Sequence, residues 1–246
     1  MVGDWLDALV FVGASRYEPG VEVIIESVLD RSRDTDLICV ASVPPDRDLG
    51  RANRRVFDKC LHSGGRARAL ARIDPLEPGS VQEARELVRL GCIGLFLDPW
   101  RDSYSISNCA ALDAVVEVAE EHGIPVTVES GFPWVSEPLQ VANFAASHPT
   151  IPIVATRGLQ MNMSGLSLEA ASIALERCPN LYLLSSGVYR QDWLEALVTT
   201  GFADRLLYAS MAPDFHPELE RARVEMLSSA SERVAVANAK RVYGWD

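Results

Sequence analysis

The chain has 246 residues, 48% of them hydrophobic, and a formal net charge of −11. That length and apolar content suffice for a large buried core, and the acidic balance argues against nucleic acid or an anionic membrane surface as a partner. Five cysteines form no C-x-x-C pair, which fits buried thiols in a reducing, cytoplasmic setting.

In chain order, short apolar runs alternate with helical periodicity. The runs cover residues 5–13, 36–43, 68–73, 92–97, 124–129, 151–156, 181–185 and 205–210. The first of these reads as a strand, because Asp4 and Asp7 interrupt the apolar character that a signal peptide needs. Residues 21–31 place Val21, Ile24, Ile25, Val28 and Leu29 on one helical face, and 81–90 and 110–121 carry similar stripes. Gly91, Gly123 and Gly201 read as helix stops. Ser80, with Glu83 three residues on, reads as a capping box. No apolar stretch approaches membrane-spanning length. Near-continuous apolar strands separated by helices predict a parallel sheet covered on its outer face. Eight such units in this length predict one (β/α)8 barrel domain over residues 1–246, possible distortion included.

Several segments, in order and spacing, resemble the amidohydrolase-related metal-dependent hydrolases, in the branch of aminocarboxymuconate semialdehyde decarboxylase. They are Ile73-Asp74-Pro75, Gly91-Cys92-Ile93-Gly94 running to Leu97-Asp98-Pro99, His122-Gly123-Ile124-Pro125, Pro179-Asn180-Leu181-Tyr182-Leu183, Ala209-Ser210-Met211-Ala212-Pro213, and Asn238-Ala239-Lys240-Arg241. The resemblance implies hydrolysis or decarboxylation of small ring or carboxylate compounds. It also implies a metal held by an H-x-H pair on the first strand, a histidine ending the fifth and an aspartate on the eighth, with a histidine ending the sixth assisting. This chain carries Leu9 and Phe11, then Glu129, then Met211 at the metal positions, and Thr156 at the sixth strand end. Asp98 stands where the fourth strand of the family has a histidine.

The expectation is therefore a metal-free, cofactor-free barrel with Leu9, Phe11, Phe96 and Met211 plugging its centre. His62, His122 and His148 precede strands and belong to the end opposite the catalytic face, leaving His216 alone after a strand. If the chain is active, Glu129 is the candidate acid–base residue, since a carboxylate in an apolar mouth is poised to exchange protons. The rival reading pairs Glu129 with Arg157 or Arg16 as structural filler. Asp214 and His216 could form an acid–base pair. Arg157, Asp98, Trp100, Thr156 and Ser185 are candidate substrate contacts, although strand alternation turns Arg157 toward the helices if Thr156 points inward. Tyr17, Trp100, Tyr104, Phe132, Trp134 and Tyr189 could line a small-molecule pocket or an interface. The alternative is an inactive homologue serving as a binding protein or as a partner subunit, in a homodimer or with a related barrel. A polar, open mouth around Glu129 would mark an enzyme, and a filled one a subunit.

Overall fold

Apolar residues fill the strand runs without alternation because both faces of each strand are covered. In the computed structural model, which describes residues 5–14, 20–31, 34–42, 48–160 and 165–245, these runs are the staves of a barrel. The first stave is β1 (Trp5–Ala14). A two-residue strand, β2 (Glu22–Val23), pairs antiparallel with its end and leads into α1 (Ile25–Arg31). The second is β3 (Thr35–Ala41), followed by α2 (Leu49–Leu61). The third is split at Leu70 into β4 (Ala67–Ala69) and β5 (Ala71–Arg72) and precedes α3 (Ser80–Leu90). Four further units follow: β6 (Leu95–Leu97) with α4 (Ala110–His122), β7 (Val126–Val128) with α5 (Pro138–Ser147), β8 (Ile153–Ala155) with α6 (Gly165–Arg177), and β9 (Leu181–Leu184) with α7 (Gln191–Thr199). The eighth stave, β10 (Leu206–Leu207), leads to α8 (Pro217–Glu225) and then α9 (Asn238–Tyr243).

The staves pair in parallel in sequence order. The split at Leu70 does not interrupt the wall, because Leu70 N donates to Cys39 O at 2.8 Å and Ile93 N to Ala69 O at 2.9 Å. The circle closes between the first and eighth staves. There Ala8 N donates to Tyr208 O at 3.0 Å, Met211 N to Leu9 O at 2.9 Å and Phe11 N to Ala212 O at 2.8 Å.

Two apolar layers result. One lies between strands and helices and holds Val10, Val12, Leu95, Val116, Ile153 and Leu183. The other fills the barrel axis with Leu6, Ala8, Leu9, Phe11, Phe96, Leu207 and Met211; α9 contributes Val242 and Tyr243 to it, and Trp245 follows just beyond the helix. The C-terminal segment thus plugs the end where strands begin. The Tyr243 hydroxyl meets Thr127 Oγ1 at 2.8 Å, and the Arg68 guanidinium lies 4.6 Å over the Trp245 ring. Ala8 and Leu9 face inward together because one extra residue bulges out of register between Asp7 and Val10. Asp7 pins that bulge, accepting N–H bonds from Ser210 at 2.8 Å and Leu9 at 3.3 Å. Burial pushes its carboxyl up to about 6 against the opposing Ser210 hydrogen bonds.

Two local expectations need correction. The stripe predicted over 21–31 is not one helix. Glu22–Val23 is a strand, the helix starts at Ile25, and Val21 and Ile24 are each 46% exposed. Here the edge of β1 recruited a chain whose periodicity was compatible with either state. Ser80 is the first helical residue and not the cap, which is Gly79 in a left-handed conformation. The chain enters α3 one residue earlier than the box pattern requires.

Candidate functional site

The strand ends opposite α9 carry the polar residues. The wall of the fifth stave ends at Val128, so Glu129 projects from its rim and is fully buried. After β8 the chain turns immediately. Arg157, Gly158 and Leu159 all have positive φ, at 52, 54 and 66°. That turn breaks strand alternation and overturns the expected direction of Arg157. Thr156 and Arg157 do not split between mouth and helix layer; both are buried, and Arg157 reaches across the rim. Its guanidinium donates to Glu129 Oε1 through Nη1 and lies 3.4 Å from Asp214 Oδ2 through Nη2. The Phe132 and Phe215 rings flank it at 5.6 and 5.7 Å. Side-chain exposures of 0% for Glu129, 4% for Arg157 and 2% for Asp214 seal this cluster from water.

Of the two pairings considered for Glu129, the one with Arg157 exists. Arg16, like Tyr17, lies outside the described residues. Asp214 and His216 do not act as a pair: the Asp214 carboxylate turns inward to Arg157, while His216 is exposed at the head of α8. Thr156 is occupied structurally. Its Oγ1 accepts from Ser130 N at 2.9 Å and its carbonyl from Ser130 Oγ at 2.7 Å. Ser185 is buried, and its N–H belongs to the barrel wall, bonded to Leu207 O at 2.9 Å. The Gly187 N–H points at Glu220 Oε1 at 3.5 Å, so these two amides of the loop after β9 are directed at protein groups.

Asp98 belongs to a second buried cluster. Arg72, in β5, bonds Asp98 Oδ2 at 3.0 Å and Asp102 Oδ1 at 2.8 Å. Its own backbone is held on both sides by Asn53, at 2.8 and 3.0 Å. Asp98 Oδ1 also accepts from Arg101 N at 3.1 Å. Burial pushes the Asp102 carboxyl up to about 7; Arg72 opposes the shift, and Asp98 and Asp74 add to it. The sequence reading passed over Arg72 and Asp102. An arginine inside the apolar run at 68–73 was the available signal, because such a charge enters a barrel wall only with partners.

Trp100 is half exposed and stacks on Phe132 at 5.1 Å; Trp134 is 80% exposed, Tyr189 39%, and Tyr104 is buried. Two clefts among the described residues lie away from Glu129. A cleft of about 850 Å³ sits outside the first two staves, lined by residues including Val12, Val23, Ile24, Arg51, Arg55 and Val56. A cleft of about 400 Å³ separates the starts of α2 and α3 beside Asp74.

The residues at the positions where the resemblance places metal ligands do not fit a transition-metal ion. Leu9, Phe11 and Met211 are buried in the axial apolar layer and bring neither charge nor a basic nitrogen. Glu129, the one hard ligand among these positions, is engaged by a guanidinium.

The family model described as amidohydrolase matches residues 45–245. No curated protein sequence matches the chain. Solved structures of similar fold include 5-carboxyvanillate decarboxylase from Sphingomonas paucimobilis, at TM-score 0.77 and 13% identity, covering 99% of this chain and 100% of that one. A putative 2-pyrone-4,6-dicarboxylic acid hydrolase from Pseudomonas putida aligns at TM-score 0.76 and 18% identity, covering 100% and 99%. A dihydroxybenzoic acid decarboxylase from a Polaromonas species, with bound manganese and an inhibitor, aligns at TM-score 0.70 and 14% identity, covering 98% and 97%.

Proposed function

The chain belongs to the amidohydrolase family, and from that membership we propose that it keeps the family barrel without the metal-dependent chemistry, serving as a non-catalytic subunit. The observation that carries this reading is the Arg157 guanidinium between the Glu129 and Asp214 carboxylates, with all three side chains nearly inaccessible. A general base must come within hydrogen-bond reach of a substrate proton. Glu129 is buried beneath its own counter-ion instead. Leu9, Phe11 and Met211 support the same reading, because they fill the axis where ligands for a metal would have to stand.

The test is turnover by the purified full chain. Substrates are 5-carboxyvanillate, 2-pyrone-4,6-dicarboxylate and 2,6-dihydroxybenzoate, the compounds named for structures of similar fold. None should be converted, with or without added zinc or manganese. Chelator-sensitive conversion would overturn the reading. Metal-independent conversion lost in Glu129→Gln would return the chain to acid–base chemistry at that carboxylate. Solution mass tests the subunit role, which predicts an assembly heavier than the 26.9 kDa chain. A monomer that stays monomeric beside a metal-competent homologue would remove it.

A further inference from the structure

We propose that the barrel mouth contains a guanidinium-type cation site, built from Glu129, Asp214, Phe132 and Phe215, whose resident occupant is the side chain of Arg157. The inference rests on the reading of this mouth as sealed and non-catalytic. Its walls come from separate parts of the fold. Glu129 and Phe132 follow β7, and Asp214 and Phe215 follow β10. Two carboxylates meet the edge nitrogens of the guanidinium, and two aromatic rings lie within cation–π distance of its central carbon.

The route by which Arg157 enters is equally specific. Its backbone holds φ 52°, a conformation that costs a non-glycine residue energy unless the surroundings enforce it. Gly187 leaves room for the arginine stem. A Cβ there would stand 3.2 Å from Arg157 Cγ and 2.8 Å from the Phe215 ring. The cation is therefore delivered by strained backbone through a gap that only glycine leaves open. It ties the rim of the fifth stave to that of the eighth, as an ion held between them would.

A seat of this kind should accept a free cation when the tethered one is removed. The experiment uses full-length Arg157→Ala, wild type and the double variant Arg157→Ala/Glu129→Gln. Thermal midpoints are followed in methylguanidinium chloride at sub-denaturing millimolar concentration, with sodium chloride at equal ionic strength as control. Manganese is titrated separately. Arg157→Ala should lose midpoint and recover at least half of the loss in a saturable manner with methylguanidinium. Wild type should not rise, and the double variant should not respond. A manganese-dependent rise in Arg157→Ala without a methylguanidinium response would overturn the guanidinium-type seat. Absence of recovery with methylguanidinium, or equal responses in all three proteins, would also overturn it. If Arg157→Ala does not accumulate folded, Arg157→Gln carries the same titration, and a flat response there counts against the site. These readouts involve no turnover, so a failed cation site and a failed non-catalytic reading remain distinguishable.

Discussion

Arg72 and Arg157 each meet two carboxylates below the surface, yet one cluster is local and the other spans the mouth. Asp98 and Asp102 come from a single turn after β6, and Asn53 fixes the Arg72 backbone in regular strand. Glu129 and Asp214 are 85 residues apart in sequence numbering, and Arg157 reaches them from left-handed backbone. The first triad staples the loop after β6 to the neighbouring strand β5. The second joins stave ends that no short segment connects. A buried ion pair adds little net stability over an apolar replacement, but removing one partner leaves a charge stranded. The two triads should therefore respond differently to loss of their arginine.

The largest effect is expected for Arg157→Met. It strands Glu129 and Asp214 in a sealed rim and should cost about 3–5 kcal/mol in urea unfolding. Arg72→Met should cost less, about 2–3 kcal/mol, because Asp102 takes up a proton near neutrality and relieves part of the stranded charge. Equal losses would break the comparison, and a larger loss at Arg72 would reverse it.

Acidity sharpens the same contrast. Asp102 and Asp7 have carboxyls raised above the ordinary 3.8, to about 7 and about 6. A raised carboxyl favours the fold while protonated. That contribution is full below the unfolded value and is lost as pH rises through the folded one. Asp102→Asn should therefore gain stability relative to wild type as pH rises from about 4 to about 7, and the gain should level off beyond. Urea midpoints of both proteins across that range give the difference directly. A difference that shrinks with rising pH would contradict the assignment. The smallest expected effect is that of Gly187→Ala, about 1–3 kcal/mol from overpacking against Phe215 and from its φ of 69°. A neutral outcome would mean that the gap is not needed for Arg157.

Sequence alone determined the barrel, because the alternation of apolar runs and amphipathic helices is local information and eight units leave few ways to close a parallel sheet. It also determined that apolar side chains stand at Leu9, Phe11 and Met211, since residue identity is given outright. The structure placed these on the axis, with Leu9 and Phe11 on one face as strand alternation requires, and a bulge that the pattern does not show turned Ala8 inward beside Leu9. Sequence placed Glu129 at a strand end, but left open whether it was a base or half of an ion pair. Tertiary structure decided that question. The partner of Glu129 depends on three consecutive positive-φ residues after β8, which no hydrophobic period encodes, and on Asp214 being carried over the mouth by the segment after β10. The Arg72 triad stayed hidden for a related reason. Charge compensation inside a barrel joins residues from different turns of the chain, and only the folded wall brings them within bonding distance.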